Sequence, residues 1–556
     1  MEAPMCRESI ICMNIPAVLF PVSYTHLDVY KRQVLDIAEQ GQMEQLKAAA
    51  KEQLEAYREG ETEDSEILEE IRAAKEIGYQ EIDQAENRRE VTEALQKAKK
   101  AVDDIFNQIP SEGTWDGQTL TEPTLENGIY QIGNGAELAW FADYVNRGGG
   151  DACAVLTDSI SLGGHNWTPI GGKDTVFSGS FDGNGYSVTG LAIEEGEVYA
   201  GLFGRVYGDN KQVIKNVTVS GYINCPRGIE YAGGIVAYIY GKNYSQRNSV
   251  VNCHSQVDIT VNKVKKSGTA AGGIAGYADN TWFRGCSNQG QVQIASEEKG
   301  GVKHYAGGLV GCVDSGVSVR QSFNSGYAGS SYCAGGIAAL VKGGNCEFTS
   351  NYNSGEVGSK NYAGGLAGRI DDGAGGTLFS WGYTSGPVNL NQSGVYVGAL
   401  FGYAAAGDYR RLYALEGTAS SVVGRSPGGQ APGDFRAGSE MQGEDFLNEM
   451  NGGGNYFIRD YMGMQNGYPI LQWQLTLEDF RSGAIGDLQT FVKEEDYTPE
   501  NWQLVQERIA QGVAELRAAT SMEEVSTILT AVKADIYEID SIRDTQEKEQ
   551  IGRAHV

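Results

Sequence analysis

By type and spacing, the residues best placed for chemistry are carboxylates. Asp279, Asp314 and Asp371 each fall three residues after the last glycine of a recurring glycine-rich string, and Asp372 follows directly. A pair of such groups can act as the acid and base of glycoside hydrolysis. The local strings read ADN, DSG and DDG, which is turn chemistry. Solvated turns are therefore the expected role, with catalysis the alternative. The segment DGNG at 182–185 could begin a calcium loop, but the further ligands are missing, and DG and NG are tight-turn signals.

Metal and nucleophile constellations are sparse. Of nine cysteines, Cys6 and Cys12 lie in a suspect leader and the others are scattered with no CxxC pair, which disfavours zinc. Cys253 and Cys286 share a repeat position and are read as two buried thiols in a ladder, a disulfide between them being the alternative. His165, His254 and His304 are the histidines outside the terminal segments, and no HExxH is present. None of the glycine strings ends in the GK[ST] of a phosphate loop. No catalytic, cofactor-binding or metal residue is therefore assigned, and the chain is expected to be non-enzymatic and free of cofactors.

What must position these residues is a glycine-rich chain. Glycine supplies 76 of 556 residues, about twice average usage. The formal charge of −28 argues against nucleic acid and anionic membrane surfaces as partners. No apolar run reaches the roughly 18 residues of a membrane span.

Within 122–475 a string of aromatic or small residue, small residue, Gly and an apolar pair recurs. Its copies start at Tyr199, Tyr231, Ala270, Tyr305, Cys333, Tyr362 and Tyr396. Most copies are followed after about a dozen residues by a second strand-like piece, such as VVNCHSQVDI from Val250 or FTSNYNSGEV from Phe348. A unit of this size cannot close a core alone, but stacked copies bury a continuous one. If the units are coils, Cys253, Cys286, Ser322, Asn351 and Gly382 form one ladder, with His254, Ser287, Phe323, Tyr352 and Tyr383 beside it. The glycine pairs permit sharp corners and close backbone approach. The prediction is a mainly β chain, a right-handed parallel β-helix or solenoid, with a β-sandwich or other stacked array as the alternative. Residues 126–172 are read as its cap, with a helix at 136–145 ended by GGG and a strand at 155–162.

Two Ala/Glu/Lys-rich zones flank the repeats, at 34–109 and 483–542. Ile67, Ile71, Ala74 and Ile77, then Val91, Leu95, Ala98, Val102 and Ile105, recur at helical spacing, and Asp64 and Ser65 offer N-caps. At a constant offset of 434, Gly78 matches Gly512, Ile82 matches Leu516, and Val91, Leu95 and Ile105 match Val525, Leu529 and Ile539. The prediction is a duplicated module of antiparallel helices. Thr498 is the expected N-cap of a helix with Pro499 in its first turn.

The glycine-rich zone resembles the GLUG-motif repeats of bacterial cell-surface proteins, including the N-terminal regions of some IgA-specific metalloendopeptidases. FSGSFDGNGYSVTGLAI at 177–193 looks like that family's opening unit and NGYPILQW at 466–473 like its closing strand. The zinc motif of those endopeptidases is absent, so no functional residue carries over. The flanking zones resemble the helical FIVAR-type modules of bacterial surface proteins. The segment PVSYTHLDVYKRQ at 21–33 resembles a translated sequencing adapter: codons exist that make 23–32 its own reverse complement. IGRAHV at 551–556 resembles read-through into a second adapter. Residues 1–33 and 551–556 are accordingly expected to be artefactual.

These resemblances imply a non-catalytic cell-surface or secreted protein, monomeric, serving as a repeat stalk or an adhesive binding module. Host or cell-wall glycans and surface proteins are the implied partners. The alternatives are a carbohydrate-active β-helix enzyme, which would need carboxylates and basic residues converging along a groove, and the non-catalytic front part of a larger surface protease.

Overall fold

The computed structural model describes parts of 47–105 and most of 114–541, short loops at 195–197, 210–212, 226–227, 264, 266–267, 296–301, 390–393 and 430–431 excepted. The segments 1–33 and 551–556, and the side chains of Asp64 and Ser65, lie outside the described residues. The chain divides into two units, 1–109 and 110–556.

In the first unit, the helix Ser65–Gln84 contributes Ile82 to a core shared with Ala50, Leu54, Val91, Ala94, Leu95 and Ala98. The predicted stripe is corrected at one point: Ile77 is 57% exposed. Gly78 instead faces the neighbouring helical residues, where a Cβ would meet Leu54 and Ala98.

The second unit opens with the cap. Asn134 Oδ1 accepts the Glu137 N–H at 3.0 Å, starting the helix Gly135–Asn146, which buries Leu138, Phe141 and Val145. The predicted strand at 155–162 is two short ones, Cys153–Leu156 and Ile160–Ser161. Between them Asp158 Oδ1 takes the Ser159 N–H at 2.7 Å, the local side-chain bond that favours a turn over a ladder.

From Tyr199 to Arg436 the chain is a parallel β-solenoid. The copies of the repeated string form one seven-stranded sheet, from Tyr199–Ala200 to Tyr396–Gly398, in which Tyr231, Ala270, Tyr305, Cys333 and Tyr362 occupy successive rungs. The following strands form a second sheet of eight, and the partner pieces belong to a third. Ile235, Ile274, Leu309, Ile337, Leu366 and Leu400 project into the core with almost no exposure. Each such burial contributes roughly 1.5–3 kcal/mol. Phe348 and Phe379 stack there with centroids 4.3 Å apart.

The glycine pairs have a specific partner. Ser255, Asn288, Asn324, Asn353 and Thr384 occupy successive rungs inside the coil. Asn288 Nδ2 donates to Asn324 Oδ1 at 2.9 Å and Asn324 Nδ2 to Asn353 Oδ1 at 2.8 Å. Each amide also reaches a carbonyl two residues on, at Gly290, Gly326 or Gly355. Where a string carries a glycine pair, the second glycine lies against this ladder: a Cβ at Gly273, Gly308 or Gly336 would collide with Asn288, Asn324 or Asn353 respectively. Any side chain there would displace a buried polar ladder whose bonds water cannot replace.

The predicted ladders at 253–382 and 254–383 are both in register. Cys253 and Cys286 are free, buried thiols. They follow a corner at which Asn216, Asn252, Gln321, Ser350, Trp381 and Arg411 adopt φ between 48° and 55°, with Gly285 at 64° in the same file.

Residues after 436 cover one side of the coil. Short helices Gly438–Met441 and Glu444–Met450 and the antiparallel pair Phe457–Ile458 with Ile470–Leu471 pack Met441, Phe446, Met450, Phe457 and Leu471 on Phe323, Tyr352, Tyr383 and Tyr413. Three helices follow, Leu477–Gln489, Pro499–Ala518 and Met522–Tyr537. The first starts ahead of 483 because Thr476 caps it reciprocally with Asp479. Thr498 caps the second, as predicted, accepting from Asn501 N.

Candidate functional site

Two surfaces of the solenoid collect functional groups. The first holds the carboxylates named from sequence. Ala278, Val313, Val341 and Ile370 pair rung to rung, so the next residues, Asp279, Asp314, Lys342 and Asp371, form one file along the axis at strand spacing, about 4.8 Å. Asp314 Oδ2 accepts from Tyr277 Oη at 2.6 Å and pairs with Lys342 Nζ at 2.9 Å. Asp371 pairs with Arg369, two residues earlier on the strand that ends at Ile370. Asp372 is exposed in the adjoining turn.

The two neighbouring carboxylates are driven apart electrostatically. Burial, and then the charge of Asp314, raises the pKa of Asp279. Burial acts on Asp314 in the same sense, but the bonds from Tyr277 and Lys342 outweigh it and hold that group below the ordinary range.

Beside this file runs a strip of half-buried tyrosines. Tyr238 and Tyr277 stack in parallel 4.5 Å apart, and Tyr231 meets Tyr238 edge-on at 4.9 Å. The guanidinium of Arg369 lies 5.0 Å from the Tyr362 ring and 5.4 Å from Tyr403. Burial, followed by the Tyr238 hydroxyl and Glu230, pushes the Tyr231 phenol up to about 12. The Tyr231 phenol is thus a neutral hydrogen-bonding group at physiological pH.

The second surface lies where the C-terminal cover stops. Trp473 Nε1 donates to the Gln321 carbonyl at 2.9 Å, and its ring approaches Phe323 and His254, with centroids 5.7 and 5.0 Å away. Beyond it opens a cleft of about 410 Å³ lined by Asn184, Gly185, Asn216, Thr218, Asn252 and His254. His254 Nδ1 is 2.9 Å from Ser287 Oγ, and burial lowers its pKa. The DGNG segment forms one wall as a turn. Asp182 there is held by Lys215 at 2.9 Å, Asn216 at 3.0 Å and the Asn184 N–H at 2.9 Å.

The structure therefore brings Asp279, Asp314 and Asp371 into one file and leaves the histidines apart: His165 packs on Trp115, and His304 is buried in the seven-stranded sheet. Among the described residues no group of three His, Cys, Asp or Glu side chains is placed to hold a metal ion. The sequence reading missed Lys342, Tyr277 and Trp473. Lys342 was legible, since it stands three residues past Ala339 in the string from Cys333, at the position other copies fill with aspartate.

Fold and surfaces together define a parallel β-solenoid with a charged, tyrosine-rich outer face. No family model matches the chain. Over 97 residues it is 37% identical to a "Putative Gly-rich membrane protein" of Evansella cellulosilytica, a match covering 17% of this chain and 10% of that protein. The chain thus spans about a tenth of that relative's length. Among solved structures, a "putative immunoglobulin A1 protease" from Bacteroides ovatus superposes with a TM-score of 0.39 and 18% identity, covering 66% of this chain and 95% of that one.

Proposed function

We propose that the chain is part of a bacterial cell-surface or secreted protein of the GLUG-repeat type, and that its solenoid is a spacer and binding module rather than a catalyst. The observation that carries this reading is the state of the carboxylate file. Asp314 and Asp371 are each engaged by a cation of the same face, so they organise the surface. The helical modules on either flank suit spacers of FIVAR type. No helix among the described residues is long and apolar enough to cross a membrane. Protease shaving of intact cells of the source organism, followed by peptide mass spectrometry, tests the location. Release of solenoid peptides supports it, and recovery from the cytosol alone refutes it.

A second reading, a carbohydrate-active enzyme, is favoured by one observation: Asp279 and Asp314 are adjacent carboxylates with pKa values pushed in opposite directions, the pattern of an acid and a base. Assay of the full chain on glycan and peptide panels, with and without added metal, separates the two. Turnover lost in both Asp279→Asn and Asp314→Asn would establish the enzyme.

A further inference from the structure

The outer face that precedes the Asn216–Asn252 corner carries an isolated aromatic platform. Trp282 is 54% exposed. Its neighbours in the adjoining rungs are Ser249 and Ser318, so no ring stacks on it along the axis. Elsewhere on the coil rings do stack from rung to rung, as Phe323 does on Tyr352 at 4.9 Å.

Next to the indole sits a guanidinium. Arg247 lies 5.5 Å from the Trp282 ring and 3.7 Å from that of Tyr244, itself 59% exposed, and its Nε donates to the Tyr244 carbonyl at 2.9 Å. Arg284 stands two residues after Trp282 on the same strand and so on the same side. Its Nε donates to Gln321 Oε1 at 3.2 Å, an amide and not a carboxylate. Two further cations of this file are neutralised, Arg320 by Glu347 and Lys215 by Asp182, and Arg410 stands at its far end, four rungs from Arg284. On a chain of net charge −28, two guanidinium groups left to an amide, a carbonyl and aromatic rings mark a place built for an anion.

We propose that this patch binds an acidic polysaccharide, one sugar ring lying on the Trp282 indole and uronate carboxylates held by Arg247 and Arg284. The proposal rests on the reading of the chain as an extracellular binding module and names its ligand class. A planar guanidinium matches a carboxylate in fork geometry, and an exposed indole offers a flat apolar face to a ring. Single-stranded nucleic acid is bound on rows of aromatic rings that stack successive bases, and the serines on both rungs beside Trp282 leave no such row here.

The test is binding of the full chain to immobilised polygalacturonate and hyaluronate, with dextran and a single-stranded oligothymidylate for comparison. Binding to at least one of the uronate polymers is expected, weakening with salt. Trp282→Ala and Arg284→Ala should each weaken it at least about tenfold. Tyr537→Ala, at a 71% exposed position of the C-terminal helices, should leave it unchanged. Unaltered melting temperatures confirm that the variants are folded. Failure to bind either uronate polymer, full binding by Trp282→Ala, equal binding to dextran, or tighter binding to oligothymidylate would each overturn the proposal. Cell-surface shaving does not depend on this outcome, so the two readings fail separately.

Discussion

Asn324 hands its side-chain amide to Asn353 Oδ1 in the next coil, 2.8 Å away, and occupies the space that a side chain at Gly308 would need. The pairing explains why two motifs far apart in the coil recur together: the glycine pair makes room, and the asparagine two residues before another glycine fills it. At Gly273, Gly308 and Gly336 the two are halves of one contact.

Replacing Gly308 and Gly365 by valine should destabilise the solenoid, because a Cβ at either meets ladder side chains and a backbone carbonyl of the next coil. Overpacking of this kind costs about 1–3 kcal/mol per site. Gly375→Val should stay within roughly 0.5 kcal/mol, since nothing lies within 4 Å of a Cβ there. Urea denaturation of the three variants measures the contrast.

Asn324→Ala removes the donor to both Asn353 Oδ1 and the Gly326 carbonyl. Leaving buried acceptors unsatisfied costs about 1–3 kcal/mol each. The loss should exceed that of Asn252→Ala, whose amide bonds to Asn216 at an exposed corner. Equal losses in thermal melts would contradict the ladder's role.

The helical modules supply a third comparison. A Cβ at Gly78 would meet Leu54 and Ala98, and one at Gly512 would meet Leu488 and Val532. Those contacts correspond pairwise at the offset of 434. Valine at either glycine should therefore lower the helical signal of its own module, despite the usual gain of a side chain over glycine in a helix. Circular dichroism of each variant reads this directly, and a stabilised Gly512→Val would contradict the duplication.

Burial holds the pKa of His254 below its ordinary value of 6.5. The unfolded chain then binds the proton more readily, so stability rises with pH in this window and is lost as pH falls from 6.5 through the folded value. His254→Gln should flatten the dependence of the urea midpoint between pH 7.5 and 5.5. An unchanged slope would mean that the imidazole is solvated.

Much of this fold was legible because a solenoid writes its contacts as sequence period. The rungs from Tyr199 to Tyr396, and the file of Cys253, Cys286, Ser322, Asn351 and Gly382, follow from alignment of the copies alone. The asparagine ladder was available in the recurring NQG and NSG strings, but its partner glycines lie on the opposite side of the coil and no local pattern joins them. The corner was hidden for a different reason: Gln321, Trp381 and Arg411 adopt positive φ there, a conformation uncommon for non-glycine residues, so composition did not announce it. The exposure of Ile77 was missed because helical spacing fits two neighbouring stripes equally well. The cover of Phe323 and Tyr383 by residues after 436 depends on a return of the chain that periodicity does not encode. The platform at Trp282 escaped because its isolation depends on two serines in other coils.

In-register stacking of the coils is the central claim, and pulsed electron–electron resonance between spin labels tests it most directly. Lys215, Val251 and Arg284 occupy consecutive rungs of the file that ends at Arg410. With accessible native thiols replaced by serine, labels at these three positions, each paired with one at 410, should give separations of about 29, 24 and 19 Å, an even step of about 4.8 Å per coil. Separations that fail to fall evenly from Lys215 to Arg284 would contradict the stacked solenoid.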